Sequence, residues 1–331
     1  MQTNDVILAL APMAGISDWP MRTLCVEQGC NYTTTEMVSA QGFLSAPDHL
    51  KVYQYLLAVH PNEPRPVVQL FGRSPELMAC AALKLAETNC FRGIDINMGC
   101  PAQKVVSSGS GSALMKDLSL AGKIIAEVRS AVPYTKLSVK MRLGWDDGHI
   151  NAAELAHIAE DCGADLLTVH GRTRMQQYSG HADWTAVAKV RTKVHIPVLV
   201  NGDITDGDSA LRALKITGCD GVAIGRGALG NPFVFQEIRA VINGRSYVPP
   251  SDEMIVQTAI RQAEMMREWK GEHAAVLEMR KHLCWYIHGK RGAAKLRTRI
   301  TTADSLQNVY DLLHEFAALN AQQTVDNCLR Q

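Results

Sequence analysis

Cys100 stands in "GIDINMGCPAQKVVSSGSGSALMKD", residues 93–117, where an apolar run gives way to Cys-Pro and then to a loop of serines and glycines. Pro101 disfavours helical backbone at the residue before it, so Cys100 is held extended at the mouth of a strand. A thiol near its reference pKa of about 8.5 is mostly protonated at neutral pH and can donate a proton without activation. Nucleophilic attack would need a lowered pKa and a base partner, and a buried structural thiol is the third reading. Gly109 and Gly111, among Ser107, Ser108, Ser110 and Ser112, give the following loop the freedom expected of a mobile cover.

Other polar groups sit at the ends of apolar runs. Lys140 and His170 alternate with apolar neighbours in "SVKMR" and "TVHGR", so each points to the interior or mouth side of its strand. A buried lysine needs an anionic counterpart. The options are Glu36 or Asp95 within the chain, a phosphate, or the pyrimidine edge of a reduced flavin. His170 reads equally well as a core histidine. Gln69, at the end of "VVQL", can both donate and accept, as a flavin edge or a uracil requires, and Asn97 has the same capacity; either could instead tie loops together. "GRGALG" at 225–230 matches G-x-G-x-x-G, yet it opens no βαβ unit and no acid-tipped strand follows. With "NGDI" at 201–204 it instead offers backbone N–H groups to a phosphate.

Eight apolar runs of strand character would position these groups: residues 6–13, 32–37, 66–72, 93–99, 137–144, 166–172, 198–204 and 221–227. Each is followed by a segment with helical spacing. Eight βα units in about 230 residues have the number and size of a TIM barrel. An open, doubly wound sheet has the same alternation, but nearly every run ends in a polar cluster: Glu36, Gln69, Asn97 with Cys100, Lys140 with Arg142, His170 with Arg172, Asn201 with Asp203, and Gly225 with Arg226. Only closure gathers such ends on one face. Beyond "SYVPPSDEM" the chain reads as helices without strands. The expected fold is α/β, a (β/α)8 TIM barrel over residues 1–245 followed by a C-terminal all-helical domain over 251–331.

Thirty-four basic residues balance 33 acidic ones, but the basic ones are unevenly placed. Residues 261–300 hold ten basic residues against four acidic, interleaved with Trp285, Tyr286 and the histidines 282 and 288. That pattern suits a surface that neutralises nucleic-acid phosphates, a solvated helical face being the plainer reading. Nine cysteines without any C-x-x-C argue against a disulfide framework or a metal cluster and for a reducing cytoplasm. The first ten residues lack the marks of a signal peptide, and no run is long enough to span a membrane. No metal and no membrane partner are expected.

Together, "APMAGISD" (11–18), "TEMVSA" (35–40), "VQLFG" (68–72), "DINMGCP" (95–101), "VKMRLGW" (139–145), "VHGRT" (169–173), "NGDI" (201–204) and "IGRGALGNP" (224–232) resemble the flavin-dependent tRNA-dihydrouridine synthases. "RKHLCWYIHG" is similar to their bacterial B-type subgroup. The resemblance implies an FMN-binding TIM barrel, a helical tRNA-binding domain, tRNA as partner and NADPH as reductant. Pro12, Met13 and Ala14 then line the flavin, Gln69 and Lys140 contact its ring, and His170 lies beside it. Asn201, Gly202, Asp203, Gly225 and Arg226 hold its ribityl-phosphate end. Cys100 becomes the general acid that protonates uracil C5 while hydride passes from reduced flavin N5 to C6. Asn97 and Arg172 position the uracil or its nucleotide. Arg280, Lys281, Lys290, Arg291, Lys295 and Arg297 grip the tRNA. The base would be turned out of the RNA into the barrel mouth, with loop 102–112 closing over it. Ser107 and Ser108 stand where many members carry a basic residue, with Lys104 as the available substitute. A barrel flavoenzyme for a free small molecule would leave the basic tail unexplained. A non-catalytic RNA-binding protein would leave the barrel groups without a purpose.

Overall fold

The computed structural model describes residues 6–46 and 51–328; the outermost ends of the two expected segments, residues 1–5 and 329–331, lie outside the described residues. Eight parallel strands form the expected barrel: β1 Ile7–Leu10, β2 Tyr32–Ser39, β3 Val67–Phe71, β4 Gly93–Met98, β5 Lys136–Arg142, β6 Leu166–His170, β7 Val198–Asn201 and β8 Gly221–Ile224. They pair in sequence order, and β8 closes on β1. Most strands stop short of the expected runs because their polar tails peel off into loops. The tails at residues 202–204 and 225–227 leave the sheet in this way.

The helices between the strands start where the sequence offers a cap. Asp18, Ser74, Asp117, Asp183 and Asp206 each accept the N–H three residues on, and Pro20 and Pro75 occupy first turns. Strand alternation then sorts the side chains. Leu8, Leu10, Val68, Leu70, Ile94, Ile96, Val139, Met141, Val169 and Val200 face outward into one apolar core with the helices. Inward, the floor is a small separate cluster of Ala9, Ala11, Leu166, Leu199 and Ala223. Bulky branched residues normally fill this space, so the three alanines leave the mouth roomy.

Above that floor the interior is polar. Ser138 Oγ donates to Asp95 Oδ1 at 2.5 Å, and Gln69 Nε2 donates to Asp95 Oδ2 at 2.7 Å. Asn97 Nδ2 donates to Gln69 Oε1 at 2.8 Å. Register makes this possible, since Gln69 lies level with Asp95 and Asp95 with Ser138.

The helices Asp252–Lys270, Glu272–Tyr286, Ala293–Ile300 and Leu306–Cys328 follow. They have a core of their own, including Ala259, Met266, Met279 and Leu283. None of the described helices is long and apolar enough to cross a membrane. The helical region meets the barrel at Trp19, whose ring stacks on His60 at 4.7 Å and meets Trp269 edge-on at 5.7 Å. Beside this contact, Arg22 and Glu63 form a buried bidentate pair, with Nε–Oε1 at 2.5 Å and Nη2–Oε2 at 3.1 Å. On the helical side, Tyr286 Oη donates to Gln262 Oε1 at 2.9 Å, and Gln262 Nε2 lies 3.3 Å from His282 Nδ1. His282 is held neutral, its pKa pushed down to about 3 by burial and then by Lys281 and Lys270.

Two measurements follow from this packing. Glu63→Gln leaves Arg22, 1% exposed, with an uncompensated charge, and should cost about 3–5 kcal/mol in urea unfolding. His282 titrates near 6.5 when unfolded. Below that pH only the unfolded chain takes up its proton, so the native state loses about 1.4 kcal/mol per pH unit from this group down to about pH 3. His282→Gln removes that loss, and its unfolding free energy should gain about 2 kcal/mol on wild type between pH 7 and pH 5.

Candidate active site

All the expected cofactor residues, together with Cys100 and Asn97, line one cavity of about 1000 Å3 at the C-terminal ends of the strands. Closure has gathered the strand ends, but it has not left every side chain free. Asn97 Oδ1 accepts from Gly99 N at 3.1 Å and Cys100 N at 2.9 Å, while its Nδ2 is given to Gln69. The expected base contact by Asn97 is therefore largely spent on shaping the turn that presents Cys100. The Gln69 amide likewise lies between Asp95 and Asn97, so its role at a flavin edge is reduced to whatever that pairing leaves over.

The serine-glycine loop is not a loose cover. Residues Gln103–Val106 form a short helix and Gly111–Lys116 a 3-10 helix. Ser112, fully buried, donates to Cys100 O from both its N at 3.1 Å and its Oγ at 2.9 Å. Gly111 has φ +60°, and a Cβ there would lie 2.9 Å from Cys100 O and 2.8 Å from Val105 Cγ1. The glycine is thus needed for close packing beneath the thiol rather than for motion.

Lys140 is half-buried with Nζ 3.2 Å from Asn201 Oδ1, and it forms no ion pair with Glu36, Asp95 or any other carboxylate among the described residues. Burial, then Arg142, push its pKa down to about 8. Asn201 in turn gives Nδ2 to Ala223 O at 2.7 Å, which aims its oxygen at the lysine. His170 is pushed down to about 2 by burial and by Lys140, Arg142, Arg172 and Arg226, so it is a neutral ring.

Arg172 does not line the cavity. It is 1% exposed and bound to Ser179 O, Gly180 O and both oxygens of Asp203. Its expected contact with a base is replaced by a structural one, because Gly171 carries the chain past the strand end and turns the guanidinium beneath the loop. Asp203, at φ +56°, also accepts from Ala182 N at 2.7 Å. Burial works against its charge, but that N–H and Arg172 outweigh it and hold the carboxyl below its usual range. Arg226 is left half exposed, 3.5 Å from Asp203.

Two side chains without an assigned role in the sequence prove central. Arg142 ties Gly99 O, Thr173 O and Gln177 O together at 2.8–2.9 Å. Its position two residues after Lys140, on the same strand face, was the available signal. Tyr178, 56% exposed, lies under Arg226 and Arg142 at 4.9 and 5.8 Å; it is in an irregular loop and carried no periodic signal.

The basic helices are also more engaged than their composition suggests. Arg280 donates to Ala303 O, Lys281 to Gly15 O, and Lys290 pairs with Asp252 at 2.8 Å. These three are tied into the fold, because helix ends and loops there supply unpaired oxygens. Arg291, Lys295 and Arg297 are exposed and have no such partner among the described residues.

The sequence profile of the dihydrouridine synthase family matches residues 9–323. The chain belongs to that family. It is 38% identical over 309 residues to a probable tRNA-dihydrouridine synthase 1 of Synechocystis, covering 92% of this chain and 84% of that protein. It is 37% identical over 302 residues to tRNA-dihydrouridine synthase B of Pseudomonas putida, covering 91% and 88%. A probable tRNA-dihydrouridine synthase of Rhodobacter capsulatus is 41% identical over 302 residues, covering 90% and 91%. Dihydrouridine synthases are flavin-dependent oxidoreductases.

The cavity fits a flavin. A Cβ on Gly225 would come no nearer than 3.8 Å to Met13 Sδ and 3.9 Å to Ala11 Cβ, so the glycine keeps open a space the protein does not fill. Lys140 offers a half-buried positive charge without a carboxylate partner among the described residues, and Arg226 offers one at the mouth.

Gly111→Ala tests the packing beneath Cys100. With φ +60° and two contacts under 3.0 Å, it should cost about 2 kcal/mol or more. Thiol labelling resolved by mass spectrometry should show a changed rate at Cys100 and an unchanged rate at exposed Cys80.

Proposed function

We propose that this dihydrouridine synthase reduces the 5,6 double bond of specific uridines in tRNA, with FMN as its flavin and NADPH as reductant. Residues 1–245 form the catalytic domain, residues 251–331 the tRNA-binding domain, and the enzyme works in the cytoplasm. The observation that carries the reading is the meeting of Cys100, on its bonded turn, with the carboxylate-free Lys140 in one cavity. The names of relatives similar over about nine-tenths of this chain support tRNA as the substrate.

Pro12, Met13 and Ala14 would line the flavin, and Lys140 would offset charge at its pyrimidine edge. Gly202, Gly225 and Arg226 would take its phosphate end, since the carboxylate of Asp203 is committed to Arg172 and repels an anion. When bound, the flavin supplies hydride from N5 to C6 of the uracil. Cys100 gives a proton to C5, and His170, neutral at every physiological pH, serves as a hydrogen-bonding wall and not as an acid. The double bond is buried in folded tRNA, so the target base is turned out into the mouth.

Unmodified tRNA transcripts incubated with purified protein, FMN and NADPH should accumulate dihydrouridine. Cys100→Ala should slow this by about 10²–10⁴-fold while leaving flavin reduction by NADPH unchanged. Turnover of free uridine without tRNA would transfer the reading to a small-molecule reductase. NADPH oxidation with no dihydrouridine in any tRNA would overturn it.

A further inference from the structure

Seven of the ten cations in residues 261–300 are bonded to carboxylates or backbone carbonyls within the protein. The charge of an RNA partner must therefore be met partly elsewhere. We propose that Lys116, Trp145 and Arg174 form a phosphate-binding clamp on the barrel rim, which holds the RNA backbone beside the uridine entering the cavity. The proposal rests on the tRNA reading above.

Three separate segments build the clamp. Lys116 ends the 3-10 helix Gly111–Lys116, Trp145 lies in the loop after β5, and Arg174 in the loop after β6. Lys116 Nζ is 4.6 Å from the Trp145 ring centre and Arg174 Cζ 4.8 Å from it. Neither cation pairs with a carboxylate among the described residues. Of the nearest acids in sequence, Asp146 is bonded to His149 at 2.6 Å and to Gly148 N, Asp117 accepts from Leu120 N, and Asp147 forms no ion pair with either cation. Arg174 has only neutral partners, with Nη2 3.3 Å from Gln103 Oε1 and Nη1 3.1 Å from Met175 Sδ. Its Nε is buried with no partner among the described residues.

The indole does for the pair what a carboxylate could not. It attracts both cations through its ring face without neutralising them, so they stay together with their charge available. Two long side chains already held in place lose less freedom when an anion binds. An ammonium and a guanidinium fork together match a phosphate. The clamp is continuous with the cavity, because Gln103, which holds Arg174, also lines it three residues after Cys100.

Phosphate could reach this rim from RNA or from the reductant, and kinetics separate the two. The test uses the full-length holoenzyme with Lys116→Met, Arg174→Met and the double variant. Steady-state rates and tRNA binding are measured across a salt series, beside flavin reduction by NADPH without tRNA. The double variant should raise KM for tRNA about 10- to 100-fold with kcat within about twofold of wild type. The slope of log Kd against log salt should fall by about 0.7 for each phosphate that is no longer neutralised. Arg174→Lys, which keeps the charge, should restore most of that slope, and Lys215→Met, on a distant exposed helix face, should change nothing. Unchanged tRNA KM and salt slope, with wild type making dihydrouridine, would overturn the clamp and leave the function standing. A raised KM for NADPH with tRNA binding intact would also overturn it, assigning the site to the reductant's phosphate. A wild type inactive on tRNA would remove the functional reading and the clamp with it.

Discussion

Asp95 is a carboxylate buried inside a barrel with no cation bonded to it among the described residues, and its need for donors organises the interior. Burial raises its proton affinity, while Ser138 and Gln69 pull it back. Once Gln69 has turned its N–H to Asp95, its oxygen must accept, and Asn97 is the neighbour that gives. Asn97 then has an oxygen left for the N–H groups of Gly99 and Cys100. One line of hydrogen bonds thus runs from the barrel axis to the backbone of the thiol. It crosses three strands, so the place of Cys100 depends on the register of β3, β4 and β5.

The mouth above that line is a field as much as a shape. Lys140, Arg142 and Arg226 converge there, with Arg172 buried behind them, and Asp203 is the carboxylate that pairs with Arg172 and Arg226. Burial first, and then this crowd of cations, keeps His170 unprotonated. Preorganised positive charge in a recess of low dielectric favours anionic ligands and charge that develops during reaction. Arg142 contributes differently, since its guanidinium is occupied by three backbone carbonyls and stiffens the rim.

Much of this was legible because strand side chains alternate with a period of two. Parity placed Lys140 and His170 inward, and the polar strand ends announced closure. Parity failed where the strand had ended: Arg142 still obeys it after Lys140, whereas Arg172 follows Gly171 into a turn and leaves the mouth. Composition also misled in the serine-glycine loop, where Ser112 and Gly111 serve tight packing under Cys100. The sequence showed that Gln69 and Asn97 could bond to a ligand. It did not show that they would bond to each other, because that depends on register between strands far apart in the chain. Counting charges likewise said nothing about pairing, which is why Arg280, Lys281 and Lys290 read as free cations.

The seam between barrel and helices is made of unlike halves. Lys281 reaches Gly15 O in the first barrel loop, and Gly15 N bonds Glu36 of β2. Asp18, its pKa pushed up to about 7 by burial despite Lys270, has one oxygen without a hydrogen bond and that lysine 4.0 Å away. Gly230 touches the backbone of Trp285 so closely that no side chain fits between. Each of these sites is incomplete without the other region. The two parts are consequently poor candidates for shuffling: a barrel grafted onto a foreign helical tail would inherit a stranded carboxylate and a loosened first loop, so lineages are expected to have diverged by adjusting both sides of the seam in step.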